Sequence, residues 1–241
     1  MGDLDGGVCN QYCQVQGGSE LIDNLVAFYK HHFNTSDLSK ENVIITAGAT
    51  QALMSVFLTL LQEGDEAIVI EPYFPWYPSA ARLCQATPIF VRTGVEDDFW
   101  PSISAIEEKI SEKTKLLIFS NPSNPAGRVL NKDELKDLIN LCKKHNIFLV
   151  SDEAYEGQSW RDGSGHIKTA TVASELSSSD ILITLGTASK LCSLTGWRVG
   201  WIIAPTKIAA GCKLIHSHGI YSVEMLLPIV FFLLPFLSEY Q

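Results

Sequence analysis

Short apolar runs, rich in β-branched residues, alternate along this chain with longer segments of helical periodicity. Seven runs have the length and composition of buried strands, and they cover residues 43–46, 67–70, 88–91, 116–119, 147–151, 181–185 and 199–203. Strands that alternate with helices form a mainly parallel sheet whose two faces are both covered by helices. We therefore predict an α/β fold, an α-β-α sandwich built on a mainly parallel mixed sheet.

The segments between these runs have the spacing of amphipathic helices. Residues 51–61 are strongly apolar, and residues 103–110 place three isoleucines on one helical face. The segment after Asn131 also has an apolar face, and Glu134 follows Asn131 at the spacing of a capping box. Residues 160–168 are rich in glycine and polar side chains, and we interpret them as a linker.

Composition limits the partners of this chain. Of its 241 residues 46% are hydrophobic, which is enough for a large core, and the formal net charge is −9. An excess of carboxylates repels nucleic acids and anionic membranes. We therefore expect neither as a partner, while a local basic pocket for one phosphate stays possible.

Three features predict a cytoplasmic location. The acidic start, residues 1–5, does not have the pattern of a signal peptide. The apolar run 225–237 has 13 residues and two prolines, and this length is too short to span a bilayer. The six cysteines form no Cys-x-x-Cys pair and no zinc-type spacing with histidine, so we expect reduced thiols.

Small and polar residues follow four of the predicted strands. They are residues 47–50, 120–127, 152–155 and 186–190. In an open α/β sheet, ligands bind outside the carboxyl ends of the strands. We therefore expect these four segments to converge around one ligand.

Two of these segments have features of an anion or ring site. Gly48, Ala49 and Thr50 join a strand to a helix, where backbone N–H groups and the Thr50 hydroxyl can face an anion; an ordinary strand–helix joint is the alternative. Residues 121–127 contain two prolines and a glycine that fix a turn and present two amides. A turn alone needs neither both asparagines nor both prolines.

Asp152, Tyr155 and Phe74 suit a flat, positively charged ring. Asp152 follows a buried strand, where a carboxylate is costly unless it meets a cation such as a protonated pyridine nitrogen. Tyr155 can reach a hydroxyl on the same ring, and Phe74 can stack on its face. The alternatives are a capping aspartate at a strand–helix joint and a phenylalanine that only packs.

Lys190 lies in a loop of small and hydroxyl residues between a strand and residues 196–198. Its amine can form a Schiff base with the aldehyde of pyridoxal phosphate. Arg198 can hold the phosphate through two parallel hydrogen bonds, and Thr187 adds a hydroxyl. An exposed loop lysine is the alternative, and the chemistry of the other three loops disfavours it.

Together these motifs resemble those of the class I/II aminotransferases, fold type I enzymes that use pyridoxal phosphate. Residues 121–127 are similar to the Asn-Pro-x-Asn-Pro-Thr-Gly turn of that family, with Ala126 in place of threonine. Residues 152–155 match Asp-Glu-x-Tyr. Residues 187–200 match Ser-x-Ser-Lys and Thr-Gly-Trp-Arg-x-Gly, with Thr187 keeping the hydroxyl of the first serine. The resemblance runs from about residue 10 to about residue 223.

The resemblance implies a role for each of these residues. Lys190 would hold the cofactor as an internal aldimine and move the proton between substrate and cofactor. Asp152 would keep the pyridine nitrogen protonated, Asn124 and Tyr155 would bind the ring oxygen, and Phe74 would stack on the ring. The remaining cofactor-binding residues, mainly around the phosphate, are Gly48, Ala49, Thr50, Thr187, Ser189 and Arg198.

Tyr12 precedes a predicted helix that starts near Glu20. It resembles the tyrosine that reaches the phosphate of the partner subunit in this family. The resemblance therefore implies a homodimer in which each site is shared between two protomers.

The resemblance also implies a domain division and a function. Residues 1–205 would form the cofactor-binding large domain, with an incomplete N-terminal segment. Residues 206–241 would hold the start of an inter-domain helix and an apolar tail unlike the family, and the C-terminal small domain would be missing. The implied activity is transfer of an amino group from an amino acid to a 2-oxo acid. A pyridoxal phosphate-dependent β-lyase and a non-catalytic cofactor-binding fragment are the alternatives, and the sequence does not identify the amino acid.

Overall fold

The computed structural model describes residues 12–33, 35, 38–159 and 166–223. Within them, seven strands form one sheet. They are β1 (Val43–Thr46), β2 (Glu66–Ile70), β3 (Thr87–Val91), β4 (Thr114–Ser120), β5 (Phe148–Asp152), β6 (Leu182–Thr187) and β7 (Gly200–Ile203). Every predicted strand is present, and each predicted boundary lies within two residues of the observed one.

The direction of β7 sets which chain segments meet. The strands are ordered β1-β7-β6-β5-β4-β2-β3. The pairs from β3 through β2, β4 and β5 to β6 are parallel, whereas β7 is antiparallel to both β6 and β1. The carboxyl ends of β1 and β6 therefore lie at the same edge as the amino end of β7. The predicted mainly parallel mixed sheet is confirmed.

Eight α-helices accompany the sheet in the described part of the chain. They are α1 (Ser19–Phe33), α2 (Gly48–Leu60), α3 (Trp76–Leu83), α4 (Ile103–Glu107), α5 (Lys132–His145), α6 (Thr169–Glu175), α7 (Ala188–Leu191) and α8 (Thr206–Gly219). The helix predicted at residues 51–61 begins earlier, so the small residues of the joint form the first turn of α2.

The predicted capping box of α5 is confirmed. Asn131 Oδ1 accepts the N–H groups of Asp133 and Glu134 at 2.9 and 3.0 Å. In return, Glu134 Oε2 accepts the N–H of Asn131 at 2.8 Å. Side chains thus satisfy backbone donors that the start of a helix leaves unpaired.

The isoleucine repeat at residues 103–110 forms a shorter helix than its pattern indicates. α4 ends at Glu107, so Ile110 lies beyond it. The N–H groups of Lys109 and Ile110 donate to Ile106 O and Glu107 O, each at 3.0 Å. These tighter bonds to the third preceding residue close the last turn before the chain enters β4.

Helices cover both faces of the sheet. α2, α3 and α8 pack on one face against strand residues such as Ile44 and Val69. α4, α5 and α6 pack on the other face against residues such as Ile68 and Leu117, and α1 packs on β1 and β7. Successive strand side chains enter different cores because they point to opposite faces of the sheet. This arrangement is the predicted α-β-α sandwich.

None of the helices described is long and apolar enough to cross a membrane. The apolar run 225–237, residues 160–165 of the predicted linker and Cys9 lie outside the described residues. The described cysteines are free thiols, and Cys84, Cys142 and Cys212 are buried.

Candidate active site

The four loops predicted to converge lie together at the edge of the sheet where β1, β4, β5 and β6 end. They surround a cavity of about 200 Å³. Ten of the twelve predicted site residues line it: Ala49, Thr50, Phe74, Asn124, Asp152, Tyr155, Thr187, Ser189, Lys190 and Arg198. Gly48 lies against Arg198 beside this lining, and Tyr12 is not part of the lining.

One part of the cavity is rich in anion-binding groups, and we call it the anion corner. It consists of the first turn of α2, Thr187, Ser189 and Arg198. The first N–H groups of a helix have no partner within the helix and attract anions. Thr187 Oγ1 lies 2.9 Å from Ser189 Oγ, and Arg198 adds a positive charge. The anion corner can therefore bind a phosphate group.

Two glycines allow the anion corner to close. Gly48 has a φ of +80°, and a Cβ at this position would overlap the Arg198 guanidinium. A Cβ at Gly200 would lie 2.5 Å from the carbonyl carbon of Gly48 and 2.7 Å from the nitrogen of Ala49. The start of β7 therefore approaches the start of α2 more closely than a side chain at Gly200 would permit.

Asp152 contributes a buried carboxylate to the cavity. The residue ends β5 and is 7% exposed. Its Oδ2 accepts a 2.6 Å hydrogen bond from the Tyr77 hydroxyl, and its Oδ1 accepts the Ala154 N–H at 3.1 Å. Burial raises the pKa of this carboxyl above its usual value and the Glu153 charge adds to that effect, whereas the two hydrogen bonds oppose it. A cation in the cavity would offset the cost of ionising Asp152.

Lys190 lies on α7, directly after β6, and is half-buried rather than exposed. Its Nζ is 5.8 Å from the centroid of the Tyr155 ring. The Tyr155 hydroxyl in turn accepts a long hydrogen bond, 3.5 Å, from Asn124 Nδ2. Thr187 caps α7, because its hydroxyl oxygen accepts the N–H of Ser189 at 3.1 Å. An amine, a phenol and an amide thus face the same cavity as Asp152.

The two asparagines of the 121–127 turn have different roles. Asn121 is fully buried, and its Oδ1 accepts the N–H of Leu130 at 3.0 Å. This bond ties the turn to the segment that follows it. Asn124 instead lines the cavity. The sequence pattern predicts two presented amides, and the structure places one of them in the cavity.

Five lining residues are not among the twelve predicted site residues: Leu53, Tyr77, Ser120, Ala154 and Thr195. Two of them, Ser120 and Ala154, lie in segments that were predicted to converge. Tyr77 is the most consequential of the five because it contacts Asp152. It lies three residues after Phe74, and the two rings meet edge to face with centroids 5.8 Å apart. Helical spacing within the aromatic run 73–77 is the signal that could have indicated it.

Tyr12 lies apart from the cavity in this chain. It is 78% exposed, and its ring contacts Tyr221 edge to face with centroids 4.9 Å apart. Its expected contact is with a partner subunit, so the role of Tyr12 stays a prediction.

A buried ionic cluster begins at the residue after Asp152. We define this cluster as Glu153, Glu156, His166 and Lys168. Lys168 is fully buried, so the linker prediction is wrong at this residue. Its Nζ lies 2.8 Å from Glu153 Oε2 and 3.3 Å from the Tyr29 hydroxyl, and it also pairs with the Glu156 carboxylate. His166 Nε2 lies 3.0 Å from Glu153 Oε2.

The charges of this cluster stabilise each other. Burial alone would raise the pKa of the Glu153 carboxyl, but the charges on Lys168 and His166 outweigh burial and hold that pKa well below its usual range. Burial lowers the pKa of Lys168, and the Glu153 charge opposes this. Because Glu153 N–H also donates to Leu185 O at 2.9 Å, the chain just beyond Asp152 is firmly held.

Comparisons with known proteins agree with this site. The profile of aminotransferases of class I and II matches residues 3–234. A probable kynurenine–oxoglutarate transaminase of Saccharomyces cerevisiae is 35% identical over 211 residues, which cover 83% of this chain and 46% of that protein. Kynurenine–oxoglutarate transaminase 1 of Rattus norvegicus is 32% identical over 222 residues, which cover 88% of this chain and 52% of that protein.

Solved structures give the same result. An aspartate aminotransferase variant from Thermus thermophilus has a TM-score of 0.87 and 29% identity, covering 97% of this chain and 58% of that one. The chain spans about half the length of the curated relatives it matches. On the profile match and the identity to these relatives, this chain belongs to the class I and II aminotransferase family.

Proposed function

We propose that this chain carries the cofactor site of a pyridoxal phosphate-dependent aminotransferase, which transfers an amino group from an amino acid to a 2-oxo acid. One observation carries the proposal: three side chains of complementary chemistry line one cavity. They are the amine of Lys190, the buried carboxylate of Asp152 and the guanidinium of Arg198. The relatives named as kynurenine–oxoglutarate transaminases support the same two substrate classes.

The residues around the cavity fit pyridoxal phosphate in charge and chemistry. The anion corner offers Arg198, two hydroxyls and a helix start to the phosphate. Asp152 accepts hydrogen bonds from two neutral groups, and its buried charge suits a protonated ring nitrogen. Phe74 offers an aromatic face to the ring, and Asn124 with Tyr155 can bind the ring oxygen.

Four polar residues of the cavity then have definite tasks. When bound, the cofactor supplies an electron sink for the charge released at the substrate Cα. Lys190 Nζ is the amine in the cavity lining that can take a proton from that carbon and return it. Asp152 favours a proton on the ring nitrogen, because a buried carboxylate stabilises a neighbouring positive charge. Tyr155 and Asn124 orient the ring with respect to Lys190.

We also propose the assembly and division expected from the sequence. Residues 1–205 form the cofactor-binding unit, and α8 begins at Thr206, directly after this boundary. A homodimer in which Tyr12 of one protomer reaches the anion corner of the other is supported by the exposure of Tyr12. Sedimentation at micromolar concentration, with and without pyridoxal phosphate, tests the dimer. A cytoplasmic location completes the proposal, and fractionation of cells tests it.

Borohydride reduction followed by peptide mapping tests the cofactor site. After incubation with pyridoxal phosphate, the covalent label should be found on Lys190, and Lys190→Ala should abolish it. Lys132→Ala is the matched control, since Lys132 is exposed and its one ion pair with a described residue is the surface pair with Glu175 at 2.7 Å. A label on other lysines alone would refute the assignment.

Product analysis then tests the reaction. With an amino acid and oxoglutarate, the protein should yield a new amino acid in amounts equal to the oxo acid formed. Release of ammonia without a new amino acid would instead indicate a β-lyase. Labelling of Lys190 without any turnover would indicate a chain that binds the cofactor and does not catalyse transfer.

A further inference from the structure

Tyr77 is a buried polar residue of the cavity lining that has no task in the proposed function. Its hydroxyl donates to Asp152 Oδ2 at 2.6 Å, and the residue is only 1% exposed. We propose that Tyr77 is a positioning residue: its hydrogen bond holds the Asp152 carboxylate in one orientation and sets how firmly the site retains a proton on the ring nitrogen of the cofactor. This inference rests on the proposed function, and its first test needs no cofactor.

The Tyr77 hydroxyl is held in place from the backbone outward. Tyr77 is the second residue of α3, and its N–H donates to Phe74 O at 3.1 Å. Its ring packs edge to face on Phe74 and belongs to the core on the α2 face of the sheet. Close packing leaves a buried ring little room to swing. The hydroxyl therefore meets the carboxylate in one geometry.

The donors of Asp152 leave it able to bind a ligand as well. Tyr77 donates to Oδ2, and the Ala154 N–H donates to Oδ1 at 3.1 Å. Since each carboxylate oxygen has two lone-pair sites, both oxygens keep a site for a group in the cavity. Loss of the Tyr77 hydroxyl would remove the shorter of these two bonds.

The two side chains keep complementary protonation states. Burial and the charge of Asp152 raise the pKa of Tyr77 well above its usual value, so the phenol stays a donor. The same hydrogen bond opposes the burial that raises the pKa of Asp152. A hydrogen bond to an ionised group is worth a shift of about 1–2 pH units. Without it, Asp152 would be a weaker partner for a ring cation.

Tyr77→Phe removes one oxygen atom and keeps the ring, so it isolates this hydrogen bond. In cofactor-free protein labelled with ¹³C-carboxyl aspartate, infrared difference spectra report the ionisation midpoint of Asp152, and Asp152→Asn assigns the signal. We expect Tyr77→Phe to raise the midpoint by about 1–2 pH units. An unchanged midpoint would overturn the inference.

Tyr73→Phe is the matched control. Tyr73 belongs to the same aromatic run, and its ring stacks on Phe90 with centroids 5.3 Å apart. Loss of its hydroxyl should leave the Asp152 midpoint where it is. An equal shift in Tyr73→Phe would attribute the effect to general packing and would also overturn the inference.

A second variant tests the same hydrogen bond if Tyr77→Phe does not fold. Tyr77→3-fluorotyrosine retains the shape of the side chain and has a more acidic hydroxyl, which is a stronger donor. It should lower the Asp152 midpoint, which is the opposite direction to the phenylalanine variant. A higher or unchanged midpoint in the fluorinated protein would contradict the proposed donor role.

Protein with bound pyridoxal phosphate tests whether Tyr77 affects the proton on the ring nitrogen. In Tyr77→Phe, the ring nitrogen of the bound cofactor should lose its proton at a lower pH, which the absorbance of the cofactor reports as a lower pH midpoint. The kcat should drop about 10–100-fold with little change in KM. A shifted carboxyl midpoint with an unchanged absorbance midpoint would refute the role toward the ring. If the unsubstituted protein does not bind pyridoxal phosphate, the proposed function fails, whereas the cofactor-free titration still decides whether Tyr77 controls Asp152.

Discussion

Replacement of Lys168 by methionine should strongly destabilise the protein, although the side chain lies outside the cavity. Lys168 is the cation shared by Glu153 and Glu156, and the side chains of the three residues are at most 3% exposed. Methionine approximates the volume of the lysine stem and can keep the contacts with the Tyr29 and Phe33 rings, which lie 4.9 and 5.1 Å from Lys168 Nζ. The change therefore removes the charge more than the packing.

The magnitude follows from burial. Breaking a buried ion pair leaves an uncompensated charge and costs about 3–5 kcal/mol. Because neither Glu153 nor Lys168 is exposed, solvent screening does not reduce this figure. For a chain of this size, each kcal/mol corresponds to about 2–4 °C in Tm. We therefore expect Tm to fall by about 6–20 °C at neutral pH.

The loss of stability in Lys168→Met should become smaller as the pH falls. In the native protein the pKa of Glu153 lies below its ordinary value of 4.5. The pairing therefore contributes stability above pH 4.5 and loses that contribution as the pH falls. The difference in unfolding free energy between native protein and variant should be largest near pH 7 and should narrow as the pH falls below 4.5 towards the lower pKa of Glu153 in the native protein. Adding Glu156→Gln to Lys168→Met should recover part of the loss.

Thermal unfolding at pH 7 measures the change in Tm, and urea unfolding at pH 7 and pH 4 measures how the loss of unfolding free energy depends on pH. Lys132→Met is the matched control, since the Lys132–Glu175 pair is exposed by 46% and 43%. An exposed pair of this kind is worth about 0.2–1 kcal/mol. A loss in Lys168→Met no larger than that of the control, or a deficit that grows as the pH falls, would show that Lys168 does not neutralise the buried carboxylates.

Two further substitutions test the cavity itself. Asp152→Asn should lower kcat by at least about 10³-fold, because a neutral amide cannot retain the ring proton, and equal turnover would exclude the proposed role of Asp152. Gly200→Ala should weaken phosphate-dependent cofactor affinity at least about tenfold, because the new Cβ separates β7 from α2. Equilibrium titration with pyridoxal phosphate measures this, and Gly196→Ala is the control, since a Cβ there meets nothing within 4 Å. Equal affinities in the two glycine variants would contradict the close approach.

The fold was predictable because buried parallel strands need continuous apolar runs. Residues 116–119, for example, are apolar throughout since both faces of β4 are covered. The reversal of β7 was not predictable in the same way. Its apolar residues suit either direction, and the direction follows from pairing with β1 and β6.

The site was predictable where a charged side chain lies at the end of a buried strand. Asp152 and Lys190 each follow a buried strand, and a charge there needs an explanation. Tyr77 and Lys168 were missed for the opposite reason. Tyr77 has the residue type of an ordinary core aromatic, and Lys168 lies in a stretch whose composition is that of a solvent-exposed loop. The partner of each, Asp152 or Glu153, is distant in sequence, so a local pattern does not reveal it.

The position of β1 has a consequence for how the protein comes to recognise phosphate. β1 is an edge strand, and its residue Val43 pairs with Ile203, about 160 residues later in the chain. The helix start that follows β1 and the arginine that precedes β7 meet at the end of this ladder, where Thr46 pairs with Gly200. Closing so large a loop is slow and entropically costly. A growing polypeptide therefore assembles the anion corner late, when the first of the described strands pairs with the last.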